Sequence, residues 1–164
     1  MANLNNLVEN DIYYTPKIIF ENILHYLPRD KIYLDPFFGD GSNIQNLNEL
    51  GLNCIGYDLD YFDALDDLDY DIILTNPAFS KNILTEFLYN LSALNKPFII
   101  ILPITKIFSK YFRSAFPQYK EIQIIIPQKR MSFIIPNSSN KSNPSFVCCY
   151  IAYRMNLPQD IIFL

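Results

Sequence analysis

Apolar positions along this chain follow two rhythms. In "YTPKIIFENILHYL" (residues 14–27) they fall at 18, 19, 20, 23, 24 and 27, which is helical spacing. Thr15 suits the N-cap of that helix, and Pro16 its first turn. In "PFFGDGSNIQNLNELG" a tight loop at Gly39 and Gly41 opens an amphipathic helix ending near Gly51. Residues 80–94 and 104–116 are also predicted helical. Between these lie short, almost wholly apolar runs at 31–35, 53–60, 70–77, 97–103, 121–127 and 145–155, read as strands. Strands without polar alternation are buried on both faces. Their alternation with helices predicts an α/β fold: a Rossmann-like, doubly wound, mostly parallel sheet. The last strand follows a polar loop, "IPNSSNKSNPS" (135–145), so a C-terminal antiparallel hairpin is expected. No linker or repeat divides residues 1–164, which are read as a single domain.

Composition agrees with a real core, at 50% hydrophobic residues. No apolar run approaches the roughly 18 residues that span a bilayer, and the polar, acidic start "MANLNNLVENDIYY" does not fit a secretory signal. The expected location is intracellular: the cytoplasm, or the host cytoplasm for a phage or viral protein. Cys54, Cys148 and Cys149 show no metal-ligand spacing and are read as reduced. The formal charge of −4 conceals an asymmetry. Residues 1–75 hold 3 Lys/Arg against 14 Asp/Glu, and residues 76–164 hold 10 against 3. A basic half points to an anionic partner, although lysines and arginines also simply solvate surfaces.

Three features fall at predicted strand ends, where open parallel sheets bind ligands. The first is "LDPFFGDGS". It is neither the dinucleotide fingerprint nor a P-loop, and Asp35 and Asp40 would repel a phosphate while welcoming a cation. The second is Asp58, 23 residues after Asp35, placed like a carboxylate that takes ribose hydroxyls. Asp60 and Asp63 follow closely and compete for that role. The third is Asn76-Pro77-Ala78-Phe79. Asn-Pro is an ordinary turn signal, but it also suits chemistry on a conjugated amine such as N6 of adenine. There the nitrogen lone pair is delocalised. Two acceptors, the Asn76 side-chain oxygen and the Pro77 carbonyl, would favour the developing positive charge. Phe79 can stack on the base.

"DPFFGDGS", "GYDLD" and "NPAF", in this order, resemble class I S-adenosylmethionine-dependent methyltransferases. More narrowly they resemble amino-methyltransferases of the NPPF/NPPY type, chiefly N6-adenine enzymes. "YYTP" (13–16) is similar to a short Thr-Pro motif of that family, and "PSFVCCYIAY" to the closing hairpin of small phage and viral members. The resemblance implies S-adenosyl-L-methionine as cofactor. It implies Tyr14, Thr15 and Pro16 beside its methionine part, and Asp35, Phe37, Gly39 and Gly41 along its middle, with the Asp35 carboxylate near the ammonium. Asp58 would take the ribose, and Asp60 the cofactor adenine. Asn76, Pro77 and Phe79 would hold the target base. The acidic half would then surround a cationic cofactor. Lys106, Lys110, Arg113, Lys129, Arg130 and Lys141 would meet the phosphates of DNA or RNA, single-stranded or with a flipped base.

Two departures stand out. Ala78 replaces the family's usual Pro, and only 17 residues separate Asp58 from Asn76, which predicts a reduced third-strand edge. No separate target-recognition domain is expected, so a partner subunit or a homodimer would have to supply one. Two other readings remain at this stage: an inactive subunit of the same fold that binds a partner or nucleic acid, and a protein glutamine methyltransferase.

Overall fold

The computed structural model describes residues 13–57, 62–135, 141–142 and 145–164. One seven-stranded sheet organises them. Its order is β2 (Asn53–Gly56), β1 (Ile32–Asp35), β3 (Ile72–Thr75), β4 (Phe98–Pro103), β8 (Cys148–Tyr153), β5 (Ile122–Ile126), β9 (Ile161–Phe163). β2, β1, β3 and β4 run parallel. β8 is antiparallel to both β4 and β5, pairing Ile101 with Tyr150 on one side and Ile124 with Ile151 on the other. The expected α/β sheet and its C-terminal antiparallel pair are therefore present. A separate two-residue ribbon joins β6 (Phe133–Ile134) to β7 (Lys141–Ser142).

The central strands are apolar because both of their faces are covered. Every residue of β3, β4 and β8 is buried. Adjacent Cys148 and Cys149, which point to opposite faces of β8, are 1% and 2% exposed. Burial pushes both thiols up to about 12, so they behave as apolar filling. The helices α1 (Lys17–Glu21) and α2 (Ser42–Glu49) pack together, as do α3 (Lys81–Leu94) and α4 (Lys110–Ala115). No helix among the described residues is long and apolar enough to cross a membrane.

The structure corrects four expectations. The first helix is not continuous over 14–27: α1 stops at Glu21, and a 3-10 turn follows at Leu24–Tyr26. The Tyr150 hydroxyl donates to the Ile19 carbonyl at 2.6 Å, the acceptor that a continued helix would offer to the Ile23 N–H. Ile23 bonds Phe20 instead. Second, Pro16, not Thr15, occupies the N-cap, with no side-chain cap bond. Third, residues 104–116 divide into a 3-10 turn (Ile104–Phe108) and α4, where the Ser109 hydroxyl caps Phe112 N. Fourth, β8 is not the last strand. β9 joins the sheet edge parallel to β5. The buried Gln123 side chain fixes its approach by bonding Leu157 N, Leu157 O and Gln159 O. At the opposite edge, β2 has no outer neighbour among the described strands, and a 3-10 helix (Phe62–Asp67) leads to β3. That edge is reduced, as the short spacing required.

Gly56 is where α2 closes on this edge. A Cβ there would lie 1.9 Å from Ile44 Cδ1 and 2.6 Å from Phe38 Cδ2. Gly56→Ala is expected to lower unfolding free energy in urea by about 1–3 kcal/mol through overpacking. Adding Ile44→Val, which deletes the nearer atom, should recover part of that loss. An additive double variant would show that this contact does not set the spacing.

Candidate active site

β1 and β3 end at the same sheet edge, and their last residues meet. Asp35 is fully buried at the end of β1. Its Oδ1 accepts from the Thr75 hydroxyl at 2.5 Å and from Phe37 N at 3.0 Å, and its Oδ2 accepts from Asn43 Nδ2 at 3.0 Å. Thr75 ends β3 and Asn43 lies in the first turn of α2, so one carboxylate ties three segments together. All three donors are neutral. Burial pushes the Asp35 carboxyl up to about 6, against the lowering effect of the bonds from Thr75, Asn43 and Phe37. Its influence on a ligand passes through the groups it holds.

The glycine loop follows at once. Gly39 and Gly41 have φ of 55° and 81°, left-handed values that L side chains avoid. Asp40 Oδ1 accepts from Ser42 N as α2 begins. Phe37 packs edge-on against Phe87 at 4.9 Å, and Tyr14 lies over Gly39, with its Cε1 3.7 Å from where a Cβ would stand.

Asn76 follows Thr75 and is 9% exposed. Its Nδ2 donates to the Tyr13 carbonyl at 3.4 Å, while its Oδ1 is buried without a partner. Pro77 is buried, as are Ala78 and Phe79 at 8% exposure each. The Phe79 ring lies near-parallel to Tyr13 at 6.4 Å and edge-on to Phe146 at 5.2 Å, and Tyr13 also meets Phe133 at 5.9 Å. Residues 13–16 thus form a strap. Tyr14 pairs its N–H and C=O with Ile134, and the Thr15 carbonyl accepts from Asn46.

Buried polar atoms nearly always find partners. Among the described residues five side-chain atoms do not: Thr15 Oγ1, Asn43 Oδ1, Asn76 Oδ1, Ser80 Oγ and Tyr70 OH. The first four belong to the strap, the start of α2 and the segment after β3. These segments are joined by the bonds just described, so the atoms without partners all belong to the elements that meet at this sheet edge. Sequence reasoning missed Asn43 and Thr75. Thr75 had left one signal, a polar residue in a strand otherwise buried on both faces.

Asp58 and Asp60 lie outside the described residues, as does the Asp63 side chain. β5 runs parallel to β4, both being antiparallel to β8, so Lys129 and Arg130 emerge at the same sheet edge as Asp35 and Thr75. Both are exposed and flank a groove of about 430 Å³ that reaches Pro16 and Asn22. Arg130 Nη2 donates to the Phe146 carbonyl at 3.2 Å, beside the aromatic cluster. Half-buried Lys106 follows the end of β4. Lys110 and Arg113 are exposed on α4, and Arg113 donates to the Phe108 carbonyl. Of Lys141 only the backbone, in β7, is described.

A parallel sheet with its glycine loop after β1 and its candidate site at the strand ends defines a class: Rossmann-like, doubly wound α/β domains. Solved structures of that fold are similar to this chain. A precorrin-6Y C5,15-methyltransferase from Geobacter metallireducens has a TM-score of 0.52 at 12% identity, over 89% of this chain and 97% of that one. A putative RNA methyltransferase from Pyrococcus horikoshii has a TM-score of 0.54 at 14% identity, over 93% and 90%. A putative class I S-adenosylmethionine-dependent methyltransferase from Listeria monocytogenes has a TM-score of 0.52 at 11% identity, over 92% and 64%. No family model and no curated protein matches the sequence. At these identities the likeness is one of fold.

The Asp35 junction has a pH signature. Its pKa is raised on folding, from 3.8 to about 6. Its contribution to stability is therefore full below about pH 4 and is lost as pH rises to about 6. The loss is on the order of 3 kcal/mol. Urea unfolding of the parent and of Asp35→Asn between pH 4 and 7 should show the parent losing about that much relative to the variant. A difference independent of pH would place the Asp35 proton elsewhere.

Proposed function

We propose that this chain transfers a methyl group from S-adenosyl-L-methionine to an exocyclic amine, with N6 of adenine in DNA or RNA as the target. The observation that carries this reading is Asn76. Its Nδ2 faces a carbonyl, which can only accept, so the amide cannot be turned over. Its Oδ1 is therefore an obligate acceptor, buried and unmatched at the end of a parallel strand. Two hydrogens on one nitrogen suit that oxygen and the Pro77 carbonyl.

The crevice fits the cofactor by the chemistry of its open groups. Apart from Asn76, which is left for the amine, Asn43 Oδ1 accepts, and the Thr15 and Ser80 hydroxyls do either. That set favours a cationic, hydroxyl-bearing ligand over a phosphate. The bound cofactor would supply an electrophilic methyl carbon on a sulfonium leaving group. Residues 35–43 would hold its middle, and residues 14–16 its methionine end. Asn76 and Pro77 hold the attacking amine near tetrahedral geometry and stabilise its growing positive charge. Neither is a base, so the proton leaves to water after transfer. Phe79 offers a face to the base, which has to displace or pass Tyr13.

Ala78 favours a second reading, an inactive subunit of the same fold that binds nucleic acid or a partner. Tritiated methyl transfer onto single- and double-stranded DNA and RNA, followed by nucleoside digestion, separates the two. Asn76→Ala should lower transfer about a hundredfold or more while cofactor affinity stays within about twofold. Equal turnover in parent and variant would leave "NPAF" as a turn.

Target binding belongs to the basic half. Base flipping costs a few kcal/mol, so flexible or single-stranded nucleic acid should bind this domain better than regular duplex. Lys129→Ala with Arg130→Ala should reduce the slope of log affinity against log salt by about 1.4, the value for two phosphates on a single strand. An unchanged slope would remove both residues from the phosphate path.

A further inference from the structure

Far from Asp35, the strand at the other end of the sheet is paired on one side only. The Asp160 carbonyl accepts from Ile124 N at 2.8 Å, and Leu164 N donates to the Ile126 carbonyl at 3.0 Å. These groups point to β5, in the parallel register that sets Ile162 beside Ile125. Backbone groups alternate sides along a strand, so the N–H and C=O of Ile161 and of Phe163 point away from β5. No further strand meets them among the described residues. The side chains follow the same alternation. Ile162 is 6% exposed, while Ile161 and Phe163, on the other face, are 50% and 76% exposed. Edge strands are usually blunted by lysine, proline, a bulge or shortness. β9 is short, but it reads Ile-Ile-Phe in unbroken register. Beside Ile161 lies a cavity of about 260 Å³, lined also by Ile107, Phe112, Ile122 and Ile124. An open backbone ladder, an exposed phenyl ring and an apolar hollow thus occur together.

These features complement themselves. Turned about a two-fold axis through Ile162, a second β9 runs antiparallel to the first. Ile161 then faces Phe163 of the second copy as a pair that exchanges both backbone bonds, and symmetry repeats the pair. Every outward N–H and C=O of the two strands finds a partner. Phe163 of the second copy arrives on the face where the cavity beside Ile161 lies. On the other face Asp160 comes opposite Leu164 of the second copy, at the groove that Lys129 and Arg130 flank, so opposite charges approach. We propose that the protein pairs with a second copy of itself through β9, which joins the two seven-stranded sheets and seats each Phe163 against the other copy's Ile161. An unrelated strand would satisfy the ladder, but β9 itself brings the ring that the hollow accommodates.

The pairing has a consequence for the candidate active site. Antiparallel β9 strands send the strand ends of the two copies to opposite edges of the joined sheet. Four strands stand between β3 and the second copy. Each copy therefore keeps its own Asp35 and Asn76, and a homodimer of this kind gives neither site a target-recognition surface.

Sedimentation equilibrium and oxidative cross-linking test the pairing and its register. The parent should show a mass near twice the 19.2 kDa of one chain. Phe163→Asp alters an exposed side chain, so its far-UV spectrum should match the parent's, while its dimer dissociation constant rises at least about a hundredfold. Ile162→Cys stands on the two-fold axis, about 4.5 Å from itself between Cα atoms, and should link into a covalent dimer on oxidation. Ile161→Cys lies two residues out of register with itself, beyond the roughly 7 Å that a disulfide spans, and should stay unlinked. The native Cys54, Cys148 and Cys149 are buried, which keeps the background low. A monomeric parent overturns the proposal. So does a dimer that survives Phe163→Asp, or one that oxidation links through Ile161→Cys and not through Ile162→Cys. If Phe163→Asp does not fold, the parent's mass and the two cysteine variants decide.

Discussion

The ionisable side chain at the end of β1 sets the terms for the rest of the site. Asp35 binds the turn of its own loop through Phe37, the first turn of α2 through Asn43, and the end of β3 through Thr75. Without it the end of β3 would lose its side-chain link to the loop and to α2. Burial of the carboxylate is unfavourable, as its raised pKa records, and three neutral donors offset only part of that. A fold that needed only a tie here could have used an uncharged side chain of similar shape. A retained charge is better explained by something that the charge orients or attracts.

The second support comes from the far end of the chain. β8 sits between β4 and β5, and its Tyr150 reaches α1, 131 positions earlier, to take the Ile19 carbonyl. That bond takes the acceptor with which α1 would have continued, just after residues 13–16. Ile134 in β6 and Asn46 in α2 hold the strap from either side. Segments remote in sequence thus meet at this sheet edge, and the unmatched oxygens of Thr15, Asn43, Asn76 and Ser80 belong to them.

The parts of this molecule that were legible in the sequence are those with local causes. β3, β4 and β8 are buried on both faces and therefore read as continuous apolar runs. The glycine loop was visible because left-handed φ at Gly39 and Gly41 demands that residue type. Asn76 stood out because strand ends are where parallel sheets place ligands. Features with distant causes stayed hidden. β9 is three residues whose two outer side chains are exposed, too short to show a period. The break in α1 depends on Tyr150. Asn43 looked like one more polar residue of an amphipathic helix until its bond to Asp35 was seen. The edge beyond β2 was legible for the opposite reason, since 17 residues leave no room for another helix and strand.

Ala78 is the sequence's sharpest argument against catalysis, and its energetic weight can be compared with what surrounds it. A proline in that place would restrict the unfolded chain by about 0.4–1 kcal/mol and stiffen the turn. Ala gives up that restriction and nothing else, because both proposed acceptors belong to Asn76 and Pro77. Against this, Phe79 is held by two ring contacts, to Tyr13 and Phe146, each worth about 0.5–1.5 kcal/mol beyond the area it buries. Asn76 is anchored to Tyr13, and Thr75 to Asp35. Together these exceed the missing restriction and act on both sides of the alanine. The turn is stiffened by tertiary contacts, which a ligand can rearrange, where a second proline would have fixed it in the backbone. Replacement of proline at this position therefore weighs less against chemistry than the sequence alone suggests. The strap that carries Tyr13 touches both Asn76 and Phe79, so it is the element that packs against both ends of the turn.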